Sequence, residues 1–155
     1  MITQKAKYAF KALLYLCKAD GREPAQVEDI AGRTGIPRKF LEHILLNLKH
    51  SGLIASRRGR NGGYILIKDP AEVSLGQVLR MIDGPIAPLP CLSKTAYRPC
   101  PDCADEPACA IRKVFGDIYA ATLLSMEGVT LADLVRSDRL LDLDGPGLEA
   151  LAAKA

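Results

Sequence analysis

The sequence predicts a mostly α-helical protein carrying one small β-hairpin. Three observations lead there. Apolar residues recur at spacings of three and four over several separate stretches, the mark of amphipathic helices. Two short apolar runs flank the glycine-rich tip GRNGG at 59–63, where Asn-Gly is expected to supply the positive φ angles of a tight hairpin. Gly and Pro punctuate the chain between these segments.

Taken in order, Thr3 to Ala19 reads as a helix with Ala6, Ala9, Phe10, Leu13, Leu14, Leu16 and Cys17 on one stripe. Cys17 is expected in the core, because free cysteine is among the most buried residue types. Asp20-Gly21, with Pro24 beyond, breaks this helix. Val27, Ile30 and Ala31 mark a short helix ended by Gly35. Pro37 suits the first turn of the next, where its missing N–H costs nothing. That helix runs to about Ser51 with Phe40, Leu41, Ile44, Leu45 and Leu48 buried, and Gly52 stops it. Two helices joined by a tight turn containing Gly form a helix-turn-helix. Leu53–Arg58 and Tyr64–Lys68 are the strands of the hairpin, which in this position is a wing.

Ser74 caps a helix reaching about Asp83, ended by Gly84-Pro85. Residues 85–108 form a proline-rich loop expected to lack regular structure. A long helix resumes from Ala110 to about Met126, with Ile111, Val114, Phe115, Ile118 and Tyr119 on one side and Ala121, Leu123 and Leu124 extending it. So wide an apolar face needs cover, and a second copy of the same helix covers it better than its own domain. Thr130 caps the segment LADLV. The expected organisation is therefore a winged helix-turn-helix domain at 1–84, a cysteine-rich loop at 85–109, a dimerisation helix and short segment at 110–136, and a tail at 137–155. No function is legible in the tail.

Charge is unevenly spread. Residues 1–70 carry 13 Lys and Arg against 6 Asp and Glu, a net +7, while residues 71–155 carry 8 against 12, a net −4. A basic first half points to a polyanionic partner. Arg57, Arg58 and Arg60 cluster at the hairpin tip, where a thin projection suits a narrow, electronegative minor groove. The second helix of the pair offers Arg38, Lys39, Glu42 and His43 from its N-terminal turns, the part that reaches base edges in such modules. Double-stranded DNA is the expected partner. No leader with a basic start and apolar core opens the chain, and no apolar run approaches the ~20 residues of a membrane span, so a cytoplasmic protein is expected.

Four of the five cysteines, Cys91, Cys100, Cys103 and Cys109, crowd into the stretch PCLSKTAYRPCPDCADEPACAIRK. In a reducing compartment disulfides are rare, which leaves three readings open. Four soft thiolates suit an iron–sulfur cluster. They also suit tetrahedral zinc, although only one Cys-x-x-Cys knuckle is present. A dithiol switch is the third, since Lys94, Arg98, Arg112 and Lys113 lie close in sequence and would favour thiolate.

At this point the chain resembles the Rrf-two family of winged-helix transcription regulators, the IscR-, NsrR-, RirA- and CymR-like proteins. The resemblance runs from Ile2 to Val135 through KYAFKALLYL, DIAGRTGIPRKFLEHILLNLKHSGLI, RRGRNGGYIL, the cysteine loop and TLADLV. It implies a homodimer held by the long helix, placing two wings and two reading helices on a pseudo-palindromic operator. By position it implies that Glu42 reads bases, that Arg58 enters the minor groove, and that Cys91, Cys103 and Cys109 ligate an iron–sulfur cluster, with a two-iron (2Fe-2S) cluster favoured. Two departures stand out. A short insertion between Cys91 and Cys103 brings Cys100, and Arg112 replaces a ligating histidine three residues past Cys109. Cys100 is the candidate fourth ligand.

The expected function is a homodimeric regulator sensing cluster, iron or redox status. The alternative is a cluster-free thiol or partner-controlled regulator of sulfur and cysteine metabolism. A thiol oxidoreductase built on Cys100 and Cys103 lacks the βαβ context such motifs have. No paired carboxylates, Ser/His/Asp set or phosphate loop suggests an enzyme. A winged helix that binds another protein rather than DNA is the remaining rival.

Overall fold

Helix α1 (Gln4–Lys18) is the element on which the others are assembled. Ala6, Ala9 and Ala12 are fully buried along it, beside Leu13 and Leu16. Three methyl-sized side chains let neighbouring helices approach closely, since the interaxial distance follows the residues at the contact. Helices α2 (Val27–Thr34), α3 (Arg38–His50), α4 (Leu75–Asp83) and α6 (Leu131–Arg136) all pack on α1. The fifth helix in chain order, α5 (Ala110–Gly128), rests instead on α4 and on a short 3-10 turn, Pro90–Leu92. This computed structural model describes residues 2–18 and 23–136, so the expected break at Asp20-Gly21 and the 137–155 tail lie outside the described residues.

The helix-turn-helix forms for local reasons. Gly35 takes φ +69° and its N–H donates to the Ala31 carbonyl, closing α2 in the left-handed conformation that glycine adopts without steric cost. Ile36, buried in the turn, pins it to the core. Pro37 stands just before α3, at the N-cap rather than within the first turn. Leu41, Ile44, Leu45 and Leu48 form the buried stripe as expected. Phe40 does not: it is 46 % exposed and meets Tyr8 of α1 edge-on, ring centroids 5.7 Å apart. It matches the stripe by spacing but lies in the first turn of α3, at the edge of the α1–α3 seam.

The wing is an antiparallel pair, β1 (Ile54–Arg57) and β2 (Gly63–Leu66), in the register Ile54–Leu66 to Arg57–Gly63. The positive φ angles fall on Gly59 (+115°) and Gly63 (+154°), not on Asn61-Gly62 as the Asn-Gly signal suggested. Gly63 faces a second demand. Ala25 and Tyr64 exchange backbone hydrogen bonds at 2.9 and 2.8 Å, and a Cβ on Gly63 would sit 2.3 Å from the Ala25 carbonyl oxygen. The segment before α2 thus lies against the wing, with Gln26 Nε2 donating to the Arg60 carbonyl at 3.3 Å. Cys17 is half-buried, packed against the core rather than enclosed by it, and partial burial raises its thiol pKa.

After α5 the chain returns to the winged body. Leu75 N–H donates to the Val129 carbonyl and Leu131 N–H to the Val73 carbonyl, each at 2.9 Å, and Leu131 is fully buried. Thr130 caps α6 reciprocally with Asp133, its Oγ1 accepting from the Asp133 N–H at 3.2 Å while the Asp133 carboxylate accepts from the Thr130 N–H at 3.0 Å. Glu127 joins α5 to α4 by accepting from Ser74 Oγ and pairing with Arg80, over Gly76, whose missing Cβ leaves room for the carboxylate.

Two predictions follow from this packing. Leu131→Ala should cost about 2–5 kcal/mol in denaturant unfolding, as for other enclosed leucines; a loss well below that range would place Leu131 outside the core. The hydrogen bonds and charge of Arg80, then of Ser74, hold the Glu127 carboxyl below its ordinary pKa. The folded state therefore binds that proton more weakly than the unfolded chain. Its stabilisation is present above the ordinary carboxylate pKa and lost as pH falls through the folded value. The stability difference between wild type and Glu127→Gln should accordingly shrink below about pH 4.

Candidate DNA-binding face and cysteine cavity

Two groups of functional side chains emerge, on separate parts of the fold. On the winged body, Arg57, Arg58 and Arg60 are exposed around the hairpin tip, and among the described residues no carboxylate pairs with them. Their charges are open to a polyanion. On α3, Lys39 and His43 border a recess with Lys5 of α1, Phe40 and Ile44. Sequence reasoning did not include Lys5, because its place beside α3 depends on how α1 packs.

Arg38 and Glu42, also exposed, are not independent. Arg38 Nε lies 3.0 Å from Glu42 Oε1, while its terminal nitrogen lies 2.9 Å from Glu28 Oε1 of α2. One guanidinium fork bridges the two helices of the motif.

All four clustered cysteines line one cavity of about 480 Å³, walled further by Arg98, Pro99, Pro101, Ile111 and Arg112. The loop that forms it contains one 3-10 turn, Pro90–Leu92, where no regular structure was expected. That turn buries Cys91, while Cys103 and Cys109 are half-buried and Cys100 is exposed. Cys109 is the N-cap of α5, its Sγ accepting the Arg112 N–H at 3.5 Å. That backbone hydrogen bond, helped by the neighbouring Cys103 thiol, lowers the Cys109 pKa. Cys103 moves the other way, raised first by partial burial and then by its contact with Cys109. Cys103 and Cys109 thus influence each other's titration, while across the Cys-x-x-Cys spacing the Cys103 N–H donates to the Cys100 carbonyl at 3.2 Å.

Tyr97 donates to Glu106 Oε1, and Glu106 Oε2 lies 3.6 Å from Arg112 Nε, which is buried and has no hydrogen-bond partner. Sequence gave no signal for this network, since its members come together only when the loop folds on α5. Among the described residues no three His, Cys, Asp or Glu side chains form a set able to hold a single metal ion. Nor is any helix among them long and apolar enough to cross a membrane.

A helix-turn-helix with an arginine-tipped wing, beside a thiol-lined cavity, defines a winged-helix transcriptional regulator. The comparisons give the family. The Rrf2 profile, described as an iron-dependent transcriptional regulator, matches residues 2–137, and the chain belongs to that family. An rrf2-like HTH-type transcriptional regulator of Rhodobacter capsulatus is 54 % identical over 87 % of this chain and 92 % of its own. The HTH-type regulator IscR of Klebsiella pneumoniae is 28 % identical over 93 % of this chain and 85 % of its own. Among solved structures, CymR, the global cysteine regulator of B. subtilis, superposes with TM-score 0.73 at 28 % identity, covering 88 % of this chain and 97 % of that one. The protein is therefore a DNA-binding transcriptional regulator and not an enzyme.

Exposure orders the thiols. In reduced, metal-free protein a bulky thiol reagent should modify Cys100 first and Cys91 last, read by mass spectrometry of partly labelled samples. Early labelling of Cys91 would mean that the 90–92 turn does not enclose it.

Proposed function

We propose that this protein is a homodimeric regulator that binds a pseudo-palindromic operator and senses iron–sulfur cluster, iron or redox status through the cysteine cavity. One observation carries the reading: the four clustered thiols line a single cavity at the N-terminus of α5. The proposed dimer rests on α5. Ile111, Val114, Phe115, Ile118 and Leu124 are 40–77 % exposed along it, a row of large apolar side chains that a second copy would cover.

The residues present suit an iron–sulfur cluster. Thiolates are the soft donors such clusters take. Arg112 on the cavity wall is a cation whose buried Nε makes no hydrogen bond although Glu106 lies 3.6 Å away, so an anionic group in the cavity would meet a positive wall. Cys91, Cys100, Cys103 and Cys109 would hold the cluster, and the favoured two-iron form requires no histidine where Arg112 now stands. When bound, the group supplies an oxygen- and redox-sensitive link between the loop and α5. Zinc suits the same donors and is the alternative, with four sulfurs converging on one point.

On the DNA side, Arg58 and its neighbours on the wing are assigned to the minor groove, and Lys39, Glu42 and His43 to the major groove. Two reading helices roughly 34–36 Å apart would match half-sites one helical turn apart. The loop joins α4 to the N-terminus of α5, so its order would bear on the tilt of α5 and hence on that separation. A coupling of about 1–3 kcal/mol changes affinity about 5–150-fold, enough for a switch.

A second reading is favoured by the placing of Cys103 and Cys109 in one cavity and by the similarity to a global cysteine regulator: a thiol regulator without a cluster. There the Cys109 thiolate would be oxidised by a peroxide and resolved by Cys103, forming a disulfide as two electrons and two protons pass to the peroxide to give water.

Oxygen-free purification should yield coloured protein containing iron and sulfide, and Cys103→Ala should abolish the colour and uncouple DNA affinity from the cofactor. Colourless protein without iron, whose DNA affinity changes on thiol oxidation, would move the assignment to the second reading. If neither treatment alters DNA affinity, sensing through this loop is wrong.

A further inference from the structure

We infer that Arg38 is a positioning residue for base reading, holding the Glu42 carboxylate in place on α3 rather than serving as a DNA contact itself. The inference rests on the proposed role of Glu42 as a base reader. Its observation is the fork already described: Nε to Glu42 at 3.0 Å within α3, and a terminal nitrogen to Glu28 of α2 at 2.9 Å.

Three physical points follow from that fork. A lone glutamate on an exposed helix samples several rotamers and must be ordered when it meets a base, at a cost in side-chain entropy. With Oε1 engaged by a planar guanidinium that is itself tied to α2, the carboxylate is already oriented, and Oε2 is left to accept from a cytosine N4 amine. Second, Glu28 and Glu42 together place two negative charges on a face that approaches phosphates, and Arg38 between them offsets one. Third, both carboxylates and the guanidinium are about half to two-thirds exposed, and exposed ion pairs contribute little to stability. The bridge is therefore poorly explained as a fold-stabilising device, and its loss should leave the fold intact. A direct contact of Arg38 with DNA, expected from sequence, competes with two carboxylates already in place. Among the described residues the wing arginines have no such competitors.

The test uses the full-length protein and a pool of random-sequence duplex DNA, with base preference at each position read by sequencing the bound fraction. Thermal melts of the free proteins should be nearly the same for wild type, Arg38→Gln and Glu42→Ala. Glu42→Ala should flatten the preference at one position per half-site, where a good base contact discriminates about 5- to 150-fold. Arg38→Gln should weaken the preference at that same position, leave the others unchanged, and leave the salt dependence of binding as in wild type. The double variant should discriminate no worse there than Glu42→Ala.

If Arg38→Gln instead lowers affinity for all sequences alike and reduces the salt slope by about 0.9, Arg38 is a phosphate contact and the inference is overturned. Unchanged preference in Arg38→Gln beside a flattened Glu42→Ala also overturns it, while the base-reading role of Glu42 survives. Should Glu42→Ala flatten no position, the base-reading role fails and the inference falls with it.

Discussion

The architecture depends on the way the chain re-enters the winged body after its long helix. Main-chain hydrogen bonds between Val73–Leu75 and Val129–Leu131, with Leu131 enclosed behind them, fasten the C-terminal end of α5 to the core. Nineteen helical residues span roughly 28 Å, so the N-terminal end of α5 stands well away from that attachment. The chain runs from the end of α4 to the start of α5 through residues 84–109. The cysteine loop is that connection, and it is closed between two elements which Glu127, Ser74 and Arg80 already join. A rod fixed at one end and bounded at the other by a thiol-lined cavity is mechanically suited to the proposed sensing role.

The basic face divides by its pairing. Among the described residues the wing arginines pair with no carboxylate, and the backbone that presents them is fixed by Gly63 and by the Ala25–Tyr64 bridge, which seats the tip against the segment preceding α2. The α3 surface is built differently. There Arg38 is engaged by carboxylates from both helices of the motif, while Lys39 and His43 border a recess shared with Phe40 and Lys5. In the proposed reading the unpaired charge supports affinity without regard to sequence, and the fixed carboxylate bears on which base is accepted. Both kinds of surface sit on one small module because α1, through its alanine face, brings α2, α3 and α4 together.

Much of this was legible in the residues. The helical spacings of 4–18 and 38–50, the Gly35 and Gly52 breaks, the Ser74 cap and the gathering of cysteines are local features, set by periodicity and by single-residue preferences. The family resemblance added an ordered series of motifs, which profile and relatives bear out. Errors arose where a local rule met a long-range neighbour. Asn-Gly signalled the wing turn, and Gly62 there has no room for a Cβ beside the Arg57 carbonyl, yet the positive φ angles lie at Gly59 and Gly63, the latter pressed against Ala25. Phe40 matched the buried stripe by spacing but lies at the margin of the α1–α3 seam, where an aromatic ring finds Tyr8 instead.

The sequence by itself determined that this is a winged-helix regulator with a thiol-rich loop, because secondary-structure periodicity, caps and motif order are properties of neighbouring residues. Only the tertiary structure decided that Cys91, Cys100, Cys103 and Cys109 share one cavity, that Arg112 and Glu106 close beside it, and that Glu28 reaches Arg38. Those contacts join residues whose separation along the chain says nothing of their distance in space. They exist only once α2 is set against α3 and the loop is folded onto α5.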